Sequence, residues 1–176
     1  SRNARARGSL RDLARGPAGP ALVFAAFAMP LSPPQSGAMS MKTILIIGGG
    51  HAGAQAAASL RSDGFDGRVI LVSAETELPY HRPPLSKAFL KTADEELQEL
   101  RPALFYEKNG IDLELGRKAV GIDRAAGELL LEDGKLAFDA MVLAPGARVR
   151  IPPVPGIDLG NVFMLRTAED ARRLRE

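Results

Sequence analysis

The sequence predicts an α/β fold built on a parallel sheet, and three consecutive segments carry this prediction. Residues 42–47 form a short apolar run that ends in three glycines, as a buried strand does before a turn. Residues 54–60 are rich in alanine, which favours a helix, and Gly64 stands where glycine commonly ends one. Residues 68–72 are again short, apolar and β-branched, which is typical of a strand buried in a parallel sheet.

The turn after the first strand has the pattern G-x-G-x-x-G. Gly48 permits a tight turn, Gly50 has no side chain to keep the backbone from a pyrophosphate, and Gly53 lets the next helix lie close to the strand. His51 and Ala52 lie between them, where the free N–H groups and the positive dipole end of a helix can face phosphates. These five residues predict a Rossmann-like dinucleotide site.

Glu75 follows the second predicted strand, 22 residues after Gly53. A carboxylate at about this spacing accepts hydrogen bonds from the hydroxyls of an adenosine ribose. The alternative is a surface acid in a loop. We favour the ribose role, and the neighbouring Ala74 has no group that could perform it.

The composition is that of an ordinary globular domain. Hydrophobic residues make up 45% and charged residues 25%, and no apolar run approaches the roughly 18 residues of a membrane span. Cysteine is absent, which excludes disulfides, thiolate metal sites and cysteine redox chemistry within these residues. Because a reducing compartment suits such a chain, we predict a cytoplasmic protein.

The positive net charge of +2 comes from the beginning of the chain. Residues 1–40 hold five arginines and one acid, whereas the remaining residues hold 18 basic and 20 acidic side chains. A folded part with a small negative net charge and no basic, aromatic-rich patch does not predict a nucleic-acid partner.

Residues 1–40 are expected to be a disordered leader or a non-native upstream segment, because arginine, glycine and proline surround one apolar run at 21–29. A secretory signal cleaved at residues 26–28 and an arginine-rich transit peptide are two interpretations. The third is translated sequence upstream of a true start at Met39 or Met41. We favour the third, because the chain begins with Ser and a strand follows Met41 directly.

A proline-stiffened loop follows the second strand, with the sequence Leu-Pro-Tyr-His-Arg-Pro-Pro-Leu-Ser-Lys at residues 78–87. We predict an extended loop that enters a helix. Arg82 offers a planar fork for phosphate and Lys87 a compact cation, and two prolines could hold both in fixed places. Taken alone, these residues favour a rigid surface loop with solvated charges.

The glycine turn and this loop together resemble the FAD-dependent pyridine nucleotide-disulfide oxidoreductase superfamily. Within it, residues 42–176 are most similar to the ferredoxin reductases of oxygenase systems, of the putidaredoxin, rhodocoxin and biphenyl-dioxygenase types, and apoptosis-inducing factor shares the loop. The resemblance implies that Arg82 and Lys87 contact FAD. It also implies a catalytic role for Lys87, which would polarise the flavin ring near N5.

Later segments fit the same resemblance. Residues 117–123 and 128–132 are expected to be strands, and Asp133-Gly134 is a strong hairpin turn signal before residues 135–139. The resemblance implies that these strands form an inserted β-meander, with the backbone of Val120 against the adenine. From the residue alone, Val120 is better interpreted as a core strand residue.

Residues 138–148 resemble the second flavin motif of the superfamily. That motif normally reads Ala-Thr-Gly after an apolar run, and here Pro145 stands in place of the threonine. The resemblance implies FAD contacts from Ala144, Gly146 and Arg148. Because proline has no N–H donor, any contact that used the N–H or hydroxyl of a threonine is lost at Pro145.

The last predicted element is a helix that opens at Thr167, with Asp170 as its capping-box partner. The chain has one G-x-G-x-x-G, so residues 41–176 are expected to be the N-terminal part of an FAD-binding domain. The resemblance implies that the NAD(P)H-binding domain and a C-terminal domain lie outside these residues.

Two functions are predicted from this resemblance. The first is an NAD(P)H-dependent reductase of a small iron–sulfur protein, a 2Fe–2S ferredoxin or a rubredoxin, since the chain has no cysteine to accept electrons from a flavin. The second is a low-turnover flavoprotein like apoptosis-inducing factor, whose redox state governs protein interactions. His51 and His81 are not expected to be catalytic, and they form no metal-ligand pattern.

Overall fold

A computed structural model describes residues 42–92 and 95–176, so the expectations for residues 1–40 lie outside the described residues. The described ranges form seven strands, four α-helices and one short 3-10 turn. They are β1 Thr43–Ile47, α1 His51–Ser62, β2 Arg68–Val72, the 3-10 turn Pro83–Ser86, α2 Ala88–Lys91, α3 Ala103–Lys108, β3 Ile111–Glu114, β4 Ala119–Asp123, β5 Glu128–Leu131, β6 Gly134–Ala137, β7 Ala140–Leu143 and α4 Ala168–Arg175.

The parallel sheet has the strand order β3-β2-β1-β7, which confirms the predicted fold class. In its register Ile44 lies opposite Val69 on one side and Ala140 on the other. The chain therefore adds β2 and β3 to one side of β1 and β7 to the opposite side. The boundary between β1 and β7 is a topological switch point, and ligands of such sheets bind outside the carboxyl ends of the strands there.

Side chains alternate between the two faces of the sheet along each strand, and other elements cover both faces. Ile46 and Leu71 face a cluster that includes Ala57 of α1 and Tyr106 of α3. Leu45 and Ile70 face the other way, where they pack with Leu129 and Leu131 of β5. Burial on both faces explains why the sequences of β1 and β2 are continuously apolar rather than alternating.

The predicted β-meander is confirmed as a three-stranded antiparallel sheet, β4-β5-β6. The predicted hairpin is present, but Leu131 pairs with Gly134, so the two-residue loop is Glu132-Asp133, and Gly134 (φ +154°) is the first residue of β6. The first meander strand begins at Ala119 rather than at Arg117. Arg117 is drawn out of the strand because its backbone N–H donates to Ser73 (2.9 Å) and its guanidinium pairs with Asp133 and Glu114.

The loop before α2 is extended, as expected, only in its first part, where Tyr80 pairs with Glu99 in an antiparallel bridge. Pro83–Ser86 forms a 3-10 turn, and Arg82 before it has helical dihedrals (φ −77°, ψ −32°). The fixed φ of proline is compatible with the 3-10 conformation as well as with an extended chain, so two consecutive prolines did not distinguish the two. The helix predicted to follow is present as α2.

The capping box at the start of α4 is confirmed. Thr167 Oγ1 accepts from the N–H of Asp170 (3.1 Å), and the Asp170 carboxylate accepts from the N–H of Thr167 (2.8 Å). The helix packs through Ala168 and Ala171 against Tyr80 and its loop. None of the helices in residues 42–92 and 95–176 has the length and apolar character that crossing a bilayer requires.

Arg61, at the end of α1, joins three chain segments through backbone carbonyls. Its guanidinium donates to Phe65 (2.8 Å), Gly67 (2.7 Å) and Gly110 (2.5 Å). We expect Arg61→Met to lower the free energy of unfolding by about 2–4 kcal/mol, because hydrogen bonds from a charged donor are lost while the aliphatic stem is kept. Urea unfolding followed by circular dichroism measures the loss.

Arg68→Met is the matched control for Arg61→Met. Arg68 pairs with Asp112 (2.7 Å) and about half of its side chain is exposed. Removing an exposed ion pair should change the free energy of unfolding by no more than about 1 kcal/mol. Equal effects at the two positions would contradict a structural role for the three carbonyl contacts of Arg61.

Candidate functional site

The carboxyl ends of β1, β2 and β7 meet at the glycine turn. The N–H of Gly48 donates to the carbonyl of Val72 (2.8 Å), and the N–H of Ala144 donates to Ile47 (2.8 Å). Gly48 has φ +115°, and a Cβ at this position would collide with the carbonyl oxygen of Ala144. The turn therefore requires glycine both for its dihedral angle and for the close approach of the strand after β7.

The N-terminus of α1 points out of this turn without a cap from a side chain. Gly50 is the N-cap residue, no acidic residue lies in the first turn, and a Cβ on Gly50 would meet no atom within 4 Å. The first N–H groups of a helix have no partner within the helix, and together with the dipole they favour an anion. Open space beside these donors suits a diphosphate.

Gly53 allows α1 to lie against the turn. A Cβ on Gly53 would overlap the carbonyl oxygen of Gly48, so any larger residue would push the helix away. His51 is exposed and Ala52 half-buried at the start of α1. All five residues of the predicted dinucleotide turn are thus placed at the switch point of the sheet.

Glu75 and Arg82, both predicted to contact a cofactor, lie directly against one another. Arg82 Nη2 donates to Glu75 Oε1 (2.5 Å), and about a quarter of each side chain is exposed. Arg82 Nη1 donates in addition to the carbonyl of Arg166 (2.7 Å). The structure therefore places the Arg82 guanidinium beside the candidate ribose acceptor and the segment that precedes α4.

Tyr80 completes this group. Its hydroxyl donates to Glu75 Oε2 and accepts from the N–H of Ala168 (2.9 Å). Burial, followed by the hydrogen bond to the Glu75 carboxylate, raises the pKa of Tyr80, so the hydroxyl keeps its proton at any physiological pH. Tyr80 and Arg82 thus hold the Glu75 carboxylate from two sides.

His51 and His81 come together although they are 30 residues apart. Their ring nitrogens Nε2 and Nδ1 are 3.1 Å apart, and the rings meet edge to face. Partial desolvation and the neighbouring positive groups His81 and Arg82 lower the pKa of His51. The contact between the two histidines joins the loop to the start of α1. Among the described residues, no cluster of three or more side chains could hold a metal ion.

The remaining predicted residues lie after the 3-10 turn and after β7. Lys87 follows the 3-10 turn and Arg148 lies beyond β7, and both side chains are exposed. Gly146 has φ +71°, and a Cβ on it would lie 3.3 Å from Arg166 Nη2.

Val120 is not a core strand residue, and that interpretation of the sequence was wrong. Its side chain is 57% exposed. The register of β4 with β5 shifts between Ala119 and Gly121, so Val120 is the extra residue of a β-bulge and has no partner in the ladder. The adenine contact of its backbone, which the resemblance implies, stays a prediction.

Two residues of the site had no predicted role. Tyr80 was part of the loop motif but had been assigned no function, and a tyrosine among prolines is a possible signal. The Arg166 carbonyl had no signal in the sequence, since a backbone acceptor 84 residues from Arg82 is chosen only by the packing of α4.

Comparisons with known proteins agree with this geometry. Residues 42–176 match the family described as pyridine nucleotide-disulphide oxidoreductase. A rhodocoxin reductase from Rhodococcus erythropolis is 48% identical over 134 residues, which cover 75% of this chain and 31% of the relative. Apoptosis-inducing factor 3 from Homo sapiens is 38% identical over 142 residues, which cover 80% of this chain and 23% of the relative.

The fold also matches solved structures. The crystal structure of a ferredoxin reductase from Rhodopseudomonas palustris superimposes with a TM-score of 0.70 and 43% identity, over 76% of this chain and 33% of that protein. The chain spans about a third of the length of the reductases it matches. Because the family match extends from β1 to the end of α4, the chain belongs to the pyridine nucleotide-disulphide oxidoreductase family.

Proposed function

We propose that this chain is the FAD-binding part of an NAD(P)H-dependent reductase that passes electrons to a small iron–sulfur protein, a 2Fe–2S ferredoxin or a rubredoxin. The family uses FAD and NAD(P)H. The observation that carries the proposal is the uncapped N-terminus of α1, which opens beside Gly50 at the switch point of the sheet. The relatives named as rhodocoxin and ferredoxin reductases support the class of acceptor.

The residues present fit an FAD, and each has a proposed role. The backbone N–H groups of His51, Ala52 and Gly53 would hold the diphosphate at the start of α1. Glu75 would accept from the adenosine ribose, with Arg82 holding its carboxylate in place. When bound, FAD supplies the conversion between a two-electron donor and a one-electron acceptor.

The other proposed contacts come from the meander, the segment after β7 and the loop before α2. Val120, the bulge residue of β4, would present its backbone to the adenine. The proposed contacts on the β7 side come from Ala144, Gly146 and Arg148. Lys87 is the proposed catalytic residue, since its exposed ammonium would place a positive charge near N5 of the flavin ring.

An absorbance titration tests the proposed cofactor site. We expect the 176-residue chain to shift and resolve the visible band of added FAD, because the diphosphate and ribose contacts lie within it. The chain has one G-x-G-x-x-G, so NADH should not bleach the bound flavin. A flavin spectrum unchanged by the chain would contradict the proposal.

Pro145→Thr is the matched variant for this titration. Pro145 lies beside the turn, its Cα 3.3 Å from the position of a Cβ on Gly48. Threonine restores an N–H and a hydroxyl, so we expect affinity for FAD to rise by a few-fold, as for one added hydrogen bond. If neither protein binds FAD, residues 42–176 do not form the cofactor site that we propose.

A second candidate is a low-turnover flavoprotein that resembles apoptosis-inducing factor, and the 38% identity to the human relative favours it. Steady-state reduction of an added ferredoxin by the full-length protein separates the two, because the second function predicts little turnover. We place the reductase in the cytoplasm, which the absence of cysteine supports. Cell fractionation tests this location, and a mitochondrial protein would favour the second candidate.

A further inference from the structure

The Tyr80 hydroxyl is the point at which three distant segments meet. It contacts the carboxylate of Glu75 after β2, the guanidinium of Arg82 (3.3 Å) in the loop, and the N–H of Ala168 (2.9 Å) at the start of α4. Tyr80 is only 4% exposed, although its partners Glu75 and Arg82 are open to solvent at one side. The hydroxyl therefore lies directly behind the candidate ribose acceptor.

The direction of each hydrogen bond follows from the groups involved. A tyrosine hydroxyl has one proton to donate and two lone pairs that accept. The N–H of Ala168 and the guanidinium of Arg82 can only donate, so the hydroxyl accepts from both. Its one proton must then point at the Glu75 carboxylate, and the hydroxyl has no alternative orientation.

The Glu75 carboxylate is held but not saturated. One oxygen accepts from Tyr80 and the other accepts from Arg82. A carboxylate has about four lone-pair sites, so about two remain for a ligand, and 24% of the side chain is exposed to receive it. A carboxylate with free lone pairs and a fixed orientation can accept from two neighbouring hydroxyl groups.

We propose that Tyr80 is a positioning residue, which fixes the Glu75 carboxylate for the adenosine ribose hydroxyls of FAD and links that carboxylate to the start of α4. The inference rests on the proposed FAD site. The N–H of Ala168 is one of the first amides of α4, which have no partner within the helix and need one from outside. Occupation of the ribose site and the docking of α4 therefore act on the same hydroxyl.

The test compares Tyr80→Phe with the unchanged 176-residue chain, each titrated with FAD and with an FAD analogue that has a 2′,3′-dideoxyadenosine. We expect the unchanged chain to prefer FAD by about tenfold and Tyr80→Phe to bind FAD about tenfold more weakly. The analogue cannot donate to Glu75, so its affinity should not change with the substitution.

Phe89→Leu is the matched control. Phe89 belongs to the same apolar cluster as Tyr80, but its side chain has no polar group that could hydrogen-bond to the hydroxyl. Phe89→Leu should have the same effect on the binding of FAD as on the binding of the analogue. An equal loss of both ligands in Tyr80→Phe would overturn the positioning role and leave the FAD site intact. No binding of FAD by the unchanged chain would overturn the proposed function and this inference together.

Hydrogen exchange follows the link to α4 without any substitution. In the unchanged chain, FAD should slow exchange of the Ala168 amide at least several-fold more than saturating analogue does, because only FAD immobilises Glu75 and, through it, the Tyr80 hydroxyl that accepts from this amide. Equal protection by the two ligands would overturn the link between the ribose site and α4.

Discussion

Gly53→Val is expected to lower the free energy of unfolding by at least about 3 kcal/mol, because its Cβ would overlap the carbonyl oxygen of Gly48. The obstacle is backbone, and a second contact lies 3.4 Å away at Ile46 Cγ2, so no flexible side chain can move aside. Relief requires α1 to separate from β1, which would disturb the core of Ile46 and Ala57. Such a loss is a large part of the 5–15 kcal/mol that holds a typical domain together.

Urea unfolding followed by circular dichroism measures this effect, with Gln55→Val as its control. Gln55 lies on the same helix and is exposed, so it receives the same side chain without the backbone contact. The control should lose no more than about 1 kcal/mol, mostly from the lower helix propensity of valine. If Gly53→Val is as stable as Gln55→Val, close packing of α1 on the turn is not required for the fold.

Gly50→Ala is expected to leave the fold intact and to weaken FAD binding by about ten- to a hundredfold. Gly50 has φ −87° and ψ −173°, which alanine adopts freely, and its Cβ would meet no atom within 4 Å. The free energy of unfolding should change by less than about 1 kcal/mol, the cost of a poorer N-cap. The methyl group would instead fill space proposed for the diphosphate, with an overpacking cost of about 1–3 kcal/mol.

The absorbance titration with FAD measures this loss, and Gly160→Ala is the control. Gly160 also has open space around the position of a Cβ, but it lies in the connector before α4. Gly160→Ala should bind FAD as the unchanged chain does. Unchanged affinity in Gly50→Ala would show that the diphosphate does not lie in front of α1. Gly53→Val thus tests what the glycine motif requires for folding, and Gly50→Ala tests what it requires for FAD binding.

Local patterns were sufficient to predict most of the secondary structure. The apolar runs of β1 and β2, the Asp133-Gly134 turn and the capping box of Thr167 are each determined by residues within a few positions of one another. Two of the errors were also local. Two prolines permit a 3-10 turn as readily as an extended chain, and a valine in a strand can occupy a β-bulge on the exposed side.

The candidate site was predictable only in part. The glycines of the turn can be recognised from the sequence, because each satisfies a steric requirement within a six-residue stretch. The sequence pattern did not predict that Glu75 contacts Arg82 and Tyr80. Their orientations depend on the carbonyl of Arg166 and the N–H of Ala168, which have no side-chain signature.

The sequence by itself thus determined most strands and helices, though not α3 or β3, together with the glycine turn and the family to which the chain belongs. The tertiary structure alone decided that β1 and β7 form the switch point, that Val120 is exposed, and that Tyr80 joins Glu75 to α4. The physical reason is the distance along the chain over which each kind of interaction acts. Steric and conformational preferences act between near neighbours, whereas hydrogen bonds between residues 88 positions apart form only after the core has packed and brought their segments together.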